Sequence, residues 1–435
     1  MEEKNMKRKF CIMLCGVLAG SAIAACGNTD TMGEETKQEI GSSEKTEDEK
    51  ETEKDDTSSG GQTVTIWHDG DESIMQVIAD EVNEELSDEN ITVSFEKKSG
   101  LTDQLQLYGN DAANGPDLYF YAHDSLGMFA EMGILAPITD FIGEDELDGL
   151  LPMTVEAGIY QDTQYLLPVY YETLLFLYNQ DLWEGEVPST TDELYAYMQD
   201  HTDTAAGTYA VVNQHSTAYN VAPVINGFGA YIIDKDANPG LDTDEMIEAL
   251  TYNKQFAELM GEGDYDTCNT LFNEQKAAAI IGGPWLISGI KEAGISYGIK
   301  SLAEFTLPNG NPLAPYSGVQ GVGVLKHAED KKEAVASVLK AMADEKVGIA
   351  LAKESNCAPA NEKAYEDADV AANDMIMAMR ETAKTAQPMP NIPQMSVMWG
   401  PAESLLAAVN KSGDDIKTAA ETYQEAAKTA IADMQ

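Results

Sequence analysis

From about residue 62 onward, short β-rich runs alternate with helical runs, and that rhythm leaves few architectures open. Thr63-Val64-Thr65-Ile66-Trp67 reads as a buried strand. Ser73 to Leu86 carries Ile74, Val77, Ile78, Val82 and Leu86 at helical spacing. Ile91-Thr92-Val93-Ser94-Phe95 is a second strand, and Leu118-Tyr119-Phe120-Tyr121 a third, entered through Gly115-Pro116-Asp117. Strand, helix, strand in this order implies parallel sheets flanked by helices, an α/β fold. Such sheets bind ligands outside the carboxyl ends of their strands. The loops to watch are therefore Asp69-Gly70-Asp71-Glu72, after the first strand, and Ala122-His123-Asp124-Ser125, after the third.

The N-terminal part is of a different kind. Lys4, Lys7, Arg8 and Lys9 precede an apolar run from Phe10 to Ala25, shorter than the roughly 20 apolar residues of a comfortable membrane span. The run closes on Ile23-Ala24-Ala25-Cys26-Gly27. A basic start, an apolar stretch and small residues make a secretory signal, and the small residue before Cys26 resembles the bacterial lipoprotein signal. Residues 1–25 are thus expected to be cleaved and Cys26 to carry lipid. Residues 26–61 follow as a tether rich in Glu, Asp, Lys, Ser and Thr. A run such as Glu44-Lys45-Thr46-Glu47-Asp48-Glu49-Lys50-Glu51 cannot bury enough surface to offset ordering entropy. A flexible chain of this length spans on the order of 30 Å, enough to hold a domain clear of lipid headgroups.

The formal net charge of −48 excludes nucleic acid as a partner, because phosphate binding needs clustered Lys and Arg. It also fits a soluble monomer on the outer face of the cell. Beyond the signal and Cys26, only Cys268 and Cys357 remain, read as free thiols with a disulfide as the alternative. The five histidines are scattered, no zinc-ligand spacing occurs, and neither metal nor cofactor is expected.

Four local sequences resemble one family, the maltose and maltodextrin-binding proteins of bacterial ABC importers. They are Gly115-Pro116-Asp117-Leu118-Tyr119-Phe120-Tyr121-Ala122-His123-Asp124, the run from Val169 to Asn179, Ala279-Ile280-Ile281-Gly282-Gly283-Pro284-Trp285, and Met389-Pro390-Asn391-Ile392-Pro393-Gln394-Met395-Ser396 followed by Trp399. Their order and spacing fit from about residue 63 to the end. The resemblance implies a two-lobed clamshell with a hinge, each lobe a sheet flanked by helices: 62–170 with 318–370 as one lobe, 171–317 with 371–435 as the other. It implies no enzymatic activity. The ligand would be an extracellular oligosaccharide, most simply an α-1,4-linked gluco-oligosaccharide, handed to ABC importer permease subunits in the membrane.

A pyranose offers an apolar C–H face and an equator of hydroxyls. Aromatic rings suit the face, and carboxylates accept from the hydroxyls. By resemblance, Tyr121, Tyr219, Trp285 and Trp399 stand where the family stacks sugars. Asp71, Asp124 and Glu172 stand where it bonds hydroxyls, with Asp69 beside them. Glu172 sits in an apolar run and is the acid most in need of a partner. The chain departs from the family in its cations: Glu72 stands where a Lys is common, and Ser125 and Glu403 where Arg is common. That leaves the identity of the sugar open, with β-linked or galactose-containing oligosaccharides as the alternative. Two readings from other classes remain, a binding lipoprotein for a cationic solute and a secreted glycoside hydrolase, which needs two carboxylates flanking one bond.

Overall fold

The computed structural model describes residues 61–260 and 263–434. The signal, Cys26 and the tether up to residue 60 lie outside the described residues. In chain order the strands are β1 Gln62–His68, β2 Ile91–Lys97, β3 Leu118–Ala122, β4 Leu135–Ala136, β5 Ile159–Tyr160, β6 Thr163–Gln164, β7 Leu166–Thr173, β8 Leu175–Asn179, β9 Tyr209–Val212, β10 Ala277–Gly282, β11 Tyr297–Ser301, β12 Tyr316–Leu325, β13 Ala358–Pro359 and β14 Gln387–Pro388.

Among the described residues, two larger sheets organise the molecule. The first runs β13-β7-β12-β3-β1-β2, with β4 and β14 also on β12. Its β1 pairs in parallel with β2 and β3, as the strand–helix–strand rhythm requires, whereas β12 runs antiparallel to both β3 and β7. The second sheet runs β11-β8-β10-β9. β7 belongs to the first sheet and β8 to the second, with only Leu174 between them, so the apolar run 166–179 crosses directly from sheet to sheet. The chain returns between β11 and β12. It leaves again after β13 through helix Asp374–Thr382, which packs on β8 and β11 as well as β7 and β13.

Local chemistry explains the start of the first sheet. Helix Glu72–Glu85 starts at Asp71, whose carboxylate accepts from the Ser73 amide at 2.7 Å and the Ser73 hydroxyl at 2.6 Å. An N-cap of this kind satisfies donors that the first helical turn leaves open. Met75, Ile78, Ala79 and Val82 are buried, the i, i+3, i+4, i+7 stripe of a core-facing helix. β3 is pinned at its start by Asp117, which accepts from the Thr65 amide at 2.9 Å and from Lys331 Nζ at 2.8 Å.

Gly127, just past β3, brings two segments close together. Its amide donates to the Asn391 carbonyl at 2.9 Å. A Cβ there would stand 2.4 Å from that oxygen and 2.7 Å from the Tyr160 ring. Gly127→Ala is therefore expected to destabilise the fold by about 1–3 kcal/mol through overpacking. Urea denaturation would read this as a lower midpoint at unchanged slope.

Both remaining cysteines are free and buried. Burial pushes the Cys268 thiol up to about 12 and raises that of Cys357 also, so both stay protonated and unreactive. Among the described residues, no helix is long and apolar enough to cross a membrane.

Candidate functional site

The carboxyl ends of the strands carry most of the candidates. Asp69, Asp71 and Glu72 follow β1, and His123, Asp124 and Ser125 follow β3. In the second sheet, Tyr219 opens helix Ala218–Gly227 after β9, and Trp285 follows β10 through the turn Gly283-Pro284. Glu172 lies on β7, one residue before the strand ends, and Trp399 is one turn into helix Met395–Ala407.

Two groupings result. On the first sheet, the Tyr121 hydroxyl lies close to the Asp69 carboxylate and to Thr102, and the Asp124 charge acts on the same phenol. Burial raises the Asp69 carboxyl above its usual range, and its own backbone amide and the nearby Tyr121 hydroxyl oppose that in part. The second grouping is a continuous aromatic arc. The Trp285 and Tyr219 ring centroids are 6.5 Å apart, Tyr219 and Tyr316 6.5 Å, and Tyr316 and Trp399 6.5 Å. These spacings lie within the range of interacting aromatic rings. Trp285, at one end, is 41 % exposed; Tyr316, in the middle, is 3 % exposed. Trp285 thus presents a face to solvent, while Tyr316 backs the rings on either side.

Glu172 lies near the arc. It is raised by burial alone, and its side chain makes no hydrogen bond among the described residues. Its charge acts on Tyr219, a ring of the arc, and on Tyr170. The carboxylate is half-buried and its oxygens still reach solvent, so they are open to a donating ligand hydroxyl. Asp71 also acts electrostatically on Tyr170 and Cys357, but its oxygens already serve the helix cap, and those bonds hold its carboxyl below the usual range.

Three expected residues are less engaged. Glu72 is exposed on the first helical turn, where its charge reaches His68. The side chains of Ser125 and Glu403 make no hydrogen bond among the described residues; Glu403 lies one turn beyond Trp399 on the same helix. Tyr316 was not among the expected residues. The signal was Pro315-Tyr316 at the start of a returning strand, where an aromatic residue reads equally well as core. A groove of about 710 Å³ lies elsewhere, between residues 151–156 and helix Asp374–Thr382, and holds none of the candidates.

Two sheets exchanging strands at a crossing, with candidate side chains at the strand ends of both, define the two-lobed α/β clamshell of solute-binding proteins. A family profile described as bacterial extracellular solute-binding protein matches residues 67–349, and the chain belongs to that family. A maltotriose-binding protein of Pyrococcus abyssi is 29 % identical over 374 residues, 84 % of this chain and 82 % of the relative. A maltodextrin-binding protein of Bacillus subtilis is 30 % identical over 348 residues, 73 % and 81 % of the two chains. A galactooligosaccharide-binding protein of the same organism is 28 % identical, over 98 % of each. Among solved structures, a cyclo/maltodextrin-binding protein complexed with maltotetraose superposes with a TM-score of 0.78 at 22 % identity, covering 86 % of this chain and 98 % of the other. The fold is shared, and the resemblance to the maltose and maltodextrin-binding proteins holds.

Proposed function

We propose that this protein captures an extracellular oligosaccharide, of α-1,4-gluco type, and delivers it to an ABC importer. The observation that carries the reading is the four-ring arc from Trp285 to Trp399 with the Glu172 carboxylate near it. Rings for sugar faces and an acceptor for hydroxyls are what a neutral carbohydrate needs. Relatives named for maltotriose and maltodextrin support this ligand class; one named for galactooligosaccharide supports a galactose-containing alternative less strongly. Those relatives are binding proteins, which favours binding over hydrolysis here. A thermal-shift panel of neutral oligosaccharides and amines tests the reading. A true ligand at 100 times its dissociation constant adds about 2.7 kcal/mol. Stabilisation by amines alone, or appearance of shortened sugars, would overturn it.

The lobes we assign are 62–170 with 318–370 and 171–317 with 371–435. Tyr121 and Asp124 then contact ligand from one lobe, Tyr219, Trp285 and Trp399 from the other. Hinge closure follows if ligand prefers the closed form. Moving from mostly open to mostly closed takes about 5.5 kcal/mol of differential binding, more than one stacked ring supplies. Small-angle scattering should show a smaller radius of gyration with saturating maltotetraose; an unchanged radius at proven saturation would contradict closure. We assign the location to the extracellular face of the membrane through lipid on Cys26. Cys26→Ser should release the protein from washed membranes, and retention there would refute the anchor.

A further inference from the structure

His123 belongs to a sequence run that marks the family resemblance, yet it contributes nothing to either ring grouping. It is fully buried, at 0 % exposure, and both ring nitrogens are engaged. The Val319 amide donates to Nδ1 at 3.1 Å. An amide can only donate, so Nδ1 carries no proton, and the proton sits on Nε2, which donates to the Met389 carbonyl at 3.0 Å. One neutral imidazole in one tautomer therefore ties three segments that are remote in sequence. The first is the turn after β3, with Tyr121 and Asp124 beside it. The second is β12, the strand on which the chain returns to the first sheet. The third is the stretch 389–394 that leads into the helix bearing Trp399. The neighbouring bond from the Gly127 amide to the Asn391 carbonyl, 2.9 Å, follows the same seam.

We infer that His123 is a positioning residue for ligand capture: without touching the sugar, it fixes the Asp124 turn and the approach to Trp399 relative to β12. Binding sites need such support, because contacts spread over separate segments gain affinity only when those segments are held in register. The inference rests on the oligosaccharide reading above. Protonation would put a hydrogen on Nδ1 facing the Val319 N–H and break the tie. The titratable groups near the ring are few. Asp124 lies on its own turn, and Glu172 lies on β7 opposite Gly318 of β12. The β12 residues 317–321 and the stretch 388–391 contribute none. Burial lowers the imidazole and Asp124 partly opposes that, so the tie is intact at neutral pH and breaks only when pH falls below the ordinary imidazole range.

The test uses the full chain and maltotetraose. His123→Leu should weaken binding by about tenfold or more. His123→Gln, which keeps a donor for Met389, should recover part of that loss. The acid limb of wild-type affinity, which should lie below the ordinary imidazole range, should be missing from the Gln variant. In the ligand-free protein, the Val319 and Gly127 amides should exchange faster in His123→Leu. Wild-type ring nitrogen shifts should report Nδ1 unprotonated, a readout that needs neither a folded variant nor a ligand. Protonated Nδ1, unchanged amide exchange, or wild-type affinity in His123→Leu would overturn the inference. If wild type bound no neutral oligosaccharide, the sugar reading would fall, while ring state and exchange would still decide whether His123 ties the seam.

Discussion

Trp285→Ala is expected to cost most of the affinity and almost none of the stability. The ring is 41 % exposed at the open end of the arc, so its removal leaves no cavity. Covering about 100 Å² of apolar sugar and ring surface is worth roughly 2.5 kcal/mol, or something like 50-fold in dissociation constant. Trp399 differs, because it is partly buried and packs against the core. Trp399→Ala should lose comparable affinity and also lower the melting temperature. Fluorescence titration beside a thermal melt separates the two effects. Normal affinity in folded Trp285→Ala would remove that ring from the site.

Glu172→Gln should move stability and binding in opposite directions. In the free protein the carboxylate is half-buried without a hydrogen-bond donor and its proton affinity is raised by desolvation, so replacing it by a neutral amide should stabilise the fold slightly. Binding should weaken, since a charge-assisted hydrogen bond is worth about 1.5–3 kcal/mol, roughly 10- to 150-fold. The pH dependence follows from the same burial. The folded protein holds the Glu172 proton more tightly than the unfolded chain, whose carboxyl titrates near ~4.3. The favourable contribution to stability is therefore full below that pH and is lost as pH rises through the raised folded value. A sugar hydroxyl donating to the ionised acid should reverse this, so affinity should climb over the same window. Calorimetry of both proteins from pH 4 to pH 8 would show it, and a Gln variant with the wild-type profile would mean that Glu172 meets no ligand.

Much of this architecture was legible before any coordinates. The buried strand at 63–67, the helix over 73–86 and the strand at 118–121 follow from period and turn residues alone, each within a residue or so of the observed bounds. Glu172 is conspicuous as an acid in the run Val169–Asn179, and the fold gives its carboxylate no hydrogen-bond donor among the described residues. Other features depend on long-range contacts that no local pattern encodes. Tyr316 reads as an ordinary strand aromatic until Tyr219 and Trp399 are brought to either side of it. The Nε2 partner of His123 lies 266 residues away and is a backbone carbonyl, which any residue at that position would supply. Asp71 carried a local signal that was read for binding alone: an acid two residues before a serine at a helix start is also a cap. The missing cations at Glu72, Ser125 and Glu403 are visible in sequence, but their consequence for sugar choice depends on how the ligand lies along the arc.

The most direct test of the central claim is a calorimetric titration of the soluble chain, begun near Gly61, with maltotetraose at low and high salt. Capture of a neutral oligosaccharide on stacked rings predicts saturable one-to-one binding, a negative heat-capacity change, and an affinity that salt barely moves. Failure to bind maltotetraose or any neutral oligosaccharide, alongside salt-sensitive binding of an amine, would contradict it.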